Sequence, residues 1–208
     1  MTDTATIFVV DDDEAVRESL QALLETQGFT VKTYATAEAF LSAFAPDEGG
    51  CVLADLRMPG MDGLALLDRL TAKAASLPVI MVTGHGDVPL AVKAMKAGAV
   101  DFVEKPYGNE TILEAVRRAL GAQRRPNPET SASKALQARI AALTPRERDV
   151  LEQLVIGNPN KIIAYELQIS PRTVEIHRAN LMKKMEADSL SHLVRMALSA
   201  GIVGKQSR

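Results

Sequence analysis

A single cysteine, Cys51, stands in the 208-residue sequence, so an internal disulfide is excluded. Cys51 reads as an apolar filler at a strand start rather than a nucleophile or a metal ligand. No unbroken apolar run approaches the ~20 residues of a membrane span, and the opening MTDTATIF has neither the basic nor the apolar segment of a signal peptide. Net charge is low too, at −2. These shortages predict a soluble cytoplasmic protein with no membrane partner, while a hydrophobic content of 47% excludes wholesale disorder.

The small net charge hides an uneven distribution. Residues 1–122 carry 10 basic and 18 acidic side chains, whereas residues 123–208 carry 14 and 8. An acidic half followed by a basic half predicts two domains with different partners, the basic one a candidate for nucleic acid. Between them AQRRPNPETSAS, rich in proline and small polar residues, reads as a linker that runs into a short helix, SKALQARIAAL. The expected division is 1–122, a partly helical linker 123–142, and 143–208.

The densest charge lies in IFVVDDDEAVR, residues 7–17, where three carboxylates follow four apolar residues that resemble a buried strand. Each carboxylate raises the cost of ionising its neighbours, so such a cluster calls for a cation or a basic group. A helix start is the alternative, since acids favour the first turn and an aspartate can cap it. That accounts for one or two of the three.

Further short apolar runs, TVKTY, CVLA, PVIMV and DFVE, alternate with segments of helical length and period such as EAVRESLQALLETQG. Five such units imply a parallel sheet with helices on both faces, where sites form at the carboxyl ends of the strands. Polar residues recur at those ends: Asp55 after CVLA, Thr83 closing PVIMVT, and Lys105 just past DFVE.

Asp11 and Asp12, Asp55 in DLRMPGMDG, Thr83 in VTGHGD and Lys105 in KPY together resemble the five marker positions of the receiver domain of bacterial response regulators, over about residues 5–122. The resemblance implies a doubly wound five-stranded parallel sheet of the flavodoxin-like kind. It makes Asp55 the phosphoryl acceptor, with Asp12 and Asp55 as Mg²⁺ ligands, Asp11 acting largely through water and the Arg57 backbone carbonyl as a further ligand; octahedral magnesium suits such oxygens. Thr83 and Lys105 would contact the phosphoryl oxygens. Asp13 remains a helix-start residue and His85 a loop residue. Phe102 is either a core aromatic or, as in receivers, the switch aromatic that swings inward on phosphorylation. Receivers also carry a cis bond at Lys105–Pro106. Their dimer surface, the fourth helix and fifth strand, points to Val92, Lys93 and Lys96.

In the basic half, LTPRERDVLEQLVIG opens with Thr144 as cap, Pro145 at the first helical position and Glu147 three residues after the cap. NKIIAYELQ and SPRTVEIHRANLMKKM follow, the latter with Ser170 and Pro171 repeating the start signal. Two helices joined by a tight turn suggest a helix-turn-helix whose second helix enters the DNA major groove. On that helix Val174, Leu181 and Met185 share an inward face, while Arg172, Ile176, Ala179 and Lys183 project outward. An exposed isoleucine fits a groove-reading face, where apolar groups meet thymine methyls and basic ones reach guanine edges. Thr173 joins the DNA-binding set, Glu175 sits on the flank, and Lys161, Arg178 and Lys184 are expected at phosphates. His177 lies toward the packed side.

From Leu143 to about Ile202 the sequence resembles the LuxR-type DNA-binding domain, departing at Ile162 where that family often has glutamate. Receiver plus LuxR-type domain is the arrangement of two-component response regulators of the FixJ/NarL group, with the helix segments nearest the FixJ side. The resemblance implies a transcription activator, possible nitrogen-fixation or microaerobic targets included. Its partners would be a sensor histidine kinase, promoter DNA, RNA polymerase and, when phosphorylated, a second copy of the chain. Two other classes compete. A dehalogenase-like phosphatase would carry an acid two residues after its nucleophile, where this chain has Arg57; a ligand-sensing LuxR regulator leaves the receiver markers unexplained.

Overall fold

The computed structural model describes residues 5–45, 48–72, 77–84, 88–122 and 131–202. They form two compact units, an α/β unit and a helical one. His85 and the first part of the expected linker, 123–130, lie outside the described residues.

Up to residue 122 the chain runs β1 (Thr6–Val10), α1 (Glu14–Thr26), β2 (Thr30–Tyr34), α2 (Ala37–Ala43), β3 (Gly50–Asp55), α3 (Gly63–Ala72), β4 (Val79–Thr83), α4 (Val88–Lys96), β5 (Asp101–Glu104) and α5 (Asn109–Ala122). The strands pair in the order β2-β1-β3-β4-β5, each pairing parallel. Side chains alternate along a strand, so β1 serves both layers. Ile7 and Val9 pack with Leu20 and Leu24 of α1 and with Ile112 and Val116 of α5. Phe8 points the other way, its ring 5.5 Å from that of Phe40 on α2. Both faces being covered explains why every residue of β3 and β4 is buried and why these strands read as unbroken apolar runs. Cys51 is buried among them, and burial pushes its thiol up to about 12, so it has the inert character of a filler.

The chain order turns back at β1, which lies between β2 and β3. This is the point where a doubly wound sheet opens a crevice beyond its strand ends. The acidic run emerges there. Asp13 caps α1, its carboxylate accepting the N–H groups of Ala15 and Val16, so one of the three acids does the work of a helix start.

The helical unit comprises α6 (Ser131–Ala141), α7 (Pro145–Ile156), α8 (Asn160–Leu167), α9 (Pro171–Met185) and α10 (Leu190–Ser199). Thr144 and Glu147 form a reciprocal capping box at α7, and Ser170 caps α9 through the Thr173 N–H. The core joins Val150, Leu151, Leu154, Ile163, Val174, Leu181, Met185 and Leu193. It also takes Ile140, with Leu136 against it. Part of the segment expected as a partly helical linker thus packs with this unit, because α6 supplies apolar side chains to its core.

Candidate functional site

Parallel pairing sets the carboxyl ends of β1, β3, β4 and β5 side by side, with Val10 opposite Ala54, Asp55 opposite Val82 and Thr83 opposite Glu104. Asp11 follows β1, Asp55 closes β3, Thr83 closes β4 and Lys105 follows β5. The fold thus gathers residues that lie up to 94 positions apart. The Lys105 Nζ lies 2.9 Å from Asp11 Oδ2 and 2.7 Å from Asp55 Oδ1, a cation bridging two carboxylates. Asp55 Oδ2 accepts the Arg57 N–H at 2.7 Å, and Asp11 Oδ1 accepts the Asp13 N–H at 3.0 Å. Asp11, Asp55 and Thr83 are buried, whereas Asp12 is exposed. The peptide bond between Lys105 and Pro106 is cis.

Burial pushes the Asp55 carboxyl above the usual carboxylate range, and the Lys105 ammonium only partly offsets this; the Asp11 charge adds to the rise. Burial alone would depress Lys105, but its hydrogen bonds to Asp55 and Asp11 carry it above the ordinary lysine value. The pocket therefore concentrates negative charge that one ammonium neutralises incompletely.

Other residues, not singled out in the sequence, support this pocket. Gly63 opens α3 directly against β3: a Cβ there would stand 2.4 Å from the Asp55 carbonyl oxygen and 3.0 Å from the Leu56 Cα. Only a hydrogen side chain fits. Its signal is a poor helix former at a helix start, in the run MDGLALL. Glu38 of α2 accepts the Met61 N–H at 3.1 Å, which ties down the loop that follows Asp55. Arg17 of α1 donates to the carbonyls of Asp11 and Asp12 at 2.8 and 3.0 Å.

Phe102 is buried, on the side of β5 opposite Val103. The preceding Asp101 is 1% exposed and accepts Arg118 Nε and one terminal nitrogen at 3.2 and 3.0 Å, pinning the start of β5 to α5. Among the three residues expected at a dimer surface, Lys93 and Lys96 are exposed. The third, Val92, is fully buried in this structure.

In the helical unit α9 presents Arg172, Glu175, Ile176, Ala179 and Lys183 to solvent while Val174, Leu181 and Met185 are buried. Ile176 is 54% exposed, an unusual degree for a large aliphatic on a packed domain. The Thr173 hydroxyl is 2.8 Å from that of Ser170, and Arg178 donates to Asn160 at 2.8 Å. Lys161 is exposed at the start of α8. The Lys184 ammonium is bound to the Glu147 carboxylate at 2.7 Å and to the Ala142 carbonyl at 3.3 Å, and so fastens α9 to the start of α7.

Residues 7–117 match the response regulator receiver domain family, over half the chain, and residues 141–197 match the bacterial regulatory proteins of the luxR family. The transcriptional regulatory protein FixJ of Azorhizobium caulinodans is 54% identical over 202 residues, covering 97% of this chain and 96% of that one. The chain belongs to the FixJ group of two-component response regulators. FixJ of Rhizobium meliloti is likewise 54% identical, over 97% of this response regulator and 98% of its own length. The crystal structure of full-length FixJ from B. japonicum superposes with a TM-score of 0.54 at 49% identity, covering 96% of this chain and 98% of that one. The group consists of transcriptional regulators, not enzymes that turn over an outside substrate. No helix among the described residues is long and apolar enough to cross a membrane.

Proposed function

We propose that Asp55 accepts a phosphoryl group from the phosphohistidine of a sensor histidine kinase, and that the phosphorylated chain dimerises, binds promoter DNA and activates transcription. The observation that carries this reading is the Lys105 ammonium bridging Asp11 and Asp55 at adjacent strand ends. An Asp55 carboxylate oxygen attacks phosphorus, the P–N bond breaks, and the histidine nitrogen leaves with the bonding pair. Lys105 and the Thr83 hydroxyl then bind the phosphoryl oxygens. Their rearrangement biases the buried Phe102, and β5 with α4 responds.

Among the described residues no three His, Cys, Asp or Glu side chains stand close enough together to hold a metal ion. The donors nevertheless fit one: Lys105 already acts as a cation between two of the carboxylates, and all the ligands are hard oxygens. Asp12, Asp55 and the Arg57 carbonyl, with Asp11 through water, would hold Mg²⁺, which neutralises phosphoryl oxygens. Cytoplasmic location, RNA polymerase contact through the activated dimer, and nitrogen-fixation or microaerobic targets complete the proposal. Lys93 and Lys96 are the exposed residues proposed for the dimer surface.

On DNA, Arg172, Ile176, Ala179 and Lys183, with Glu175 at the flank, would read bases, while Lys161, Thr173 and Arg178 would position the helix at phosphates. The test is transfer of labelled phosphate from an autophosphorylated histidine kinase. Wild type should gain an acid-labile label in Mg²⁺ and lose it in EDTA, and Asp55→Asn should gain none. Normal labelling of that variant overturns the assignment.

A further inference from the structure

We infer that Arg17 is a positioning residue for the cation site, holding Asp11 and Asp12 in the one backbone arrangement that points both acids at a shared ion. The inference rests on the reading of that site as a Mg²⁺ site.

The two aspartates are held very unequally. Asp11 is fixed from four directions: its N–H donates to the Tyr34 carbonyl at 3.2 Å, its two carboxylate oxygens accept from Asp13 and Lys105, and its carbonyl accepts Arg17. Asp12 is exposed, and among the described residues its hydrogen-bond partner is Arg17, through its carbonyl at 3.0 Å. One terminal guanidinium nitrogen donates to both carbonyls, at 2.8 and 3.0 Å. Its two hydrogens therefore lock consecutive peptide groups in a common orientation, and a planar guanidinium does this with little rotational freedom. Arg17 lies in the first turn of α1, whose start Asp13 caps, so the clamp is anchored to a fixed helix rather than to a loop.

A competing effect has the opposite sign. Arg17 places a positive charge behind the pocket, and Coulomb repulsion alone would weaken the binding of a second cation. The guanidinium is partly exposed and aimed at carbonyls, not at the carboxylates, so solvent screens the repulsion. Orientation of the ligands should prevail, since residues that orient metal ligands typically contribute 10- to 100-fold to metal affinity.

The test is Mg²⁺ titration by calorimetry, with Mn²⁺ binding by electron paramagnetic resonance as a second readout, on the full chain. Arg17→Met should weaken both metals by about tenfold while its melting temperature in EDTA stays close to that of wild type. Arg17→Lys, which keeps the charge and one donor nitrogen but lacks the rigid plane, should recover part of the loss. Should Arg17→Met fail to fold, the Lys variant carries the test, with a loss of a few-fold expected. Unchanged or tighter binding in a folded variant overturns the clamp. Absence of binding by wild type would overturn the cation site itself, which is a separate failure.

Discussion

The Lys184 ammonium on α9 lies 2.7 Å from the carboxylate of Glu147 in the first turn of α7, and the same carboxylate oxygen accepts the Thr144 N–H at 2.8 Å. One nearly buried acid thus closes a helix cap and fastens α9 to its neighbour. Burial opposes ionisation of Glu147, but hydrogen bonds from Lys184 and Thr144 outweigh it and hold the carboxyl below its ordinary value of 4.5. A pKa depressed in the folded state adds stability above the unfolded value, and that stability is lost as pH falls through the folded one. Urea midpoints followed by circular dichroism should fall below about pH 4.5, and fall less in Glu147→Gln. Parallel pH profiles for the two proteins would rule out this coupling.

The same pair separates two lysines that look alike in the sequence. Lys161→Gln should weaken binding to every DNA sequence and flatten the salt slope by about one unit. Lys184→Gln should instead lower stability and leave the slope nearly unchanged, since its ammonium is committed to Glu147. Fluorescence anisotropy across a salt series measures both. A slope change for Lys184→Gln equal to that for Lys161→Gln would return Lys184 to the phosphate-contacting set.

Ile176 projects from α9 with half its surface open. Ile176→Lys should change the motif recovered from a random DNA pool at one position and leave folding intact, because more than half of the side chain's surface is open. Removing a good bidentate hydrogen-bond pair between Arg172 and a base should cost about 1–3 kcal/mol of discrimination at that base. An unaltered motif in Ile176→Lys would remove this face from the reading surface.

Gly63 lies hard against the backbone of Asp55. Gly63→Ala drives a methyl group into the Asp55 backbone, and overpacking of this kind costs about 1–3 kcal/mol. The shift it forces should also slow phosphoryl transfer, because Asp55 must be held in line. Urea unfolding and labelled transfer rates check the two effects, and a variant with wild-type values for both would show that α3 can retreat freely.

The strand ends were legible because each is the junction of a short apolar run with a polar residue, and burial on both sheet faces makes that junction sharp. Asp13, Thr144 and Ser170 were legible as caps because capping is local, decided within four residues. Partners distant in sequence were not. Lys184 meets Glu147 across 37 positions, and a helical wheel shows which face a residue occupies but not what stands opposite. Val92 falls at a dimer surface by resemblance alone, although its four-residue spacing from Val88 and the apolar Ala91 and Met95 around it suit an inward face. Arg17 looks like an ordinary helix arginine because its role is toward backbone carbonyls, which leave no mark on residue type.

The most direct test of phosphorylation as the switch for DNA binding is a promoter-fragment titration by anisotropy, with wild type and Asp55→Asn each incubated with phosphorylated kinase and Mg²⁺. Wild type should bind at least tenfold more tightly after incubation than before, as dimer-coupled half-site binding requires, and Asp55→Asn should not respond. Equal affinity for wild type with and without phosphorylation, or an equal gain in Asp55→Asn, would contradict the switch.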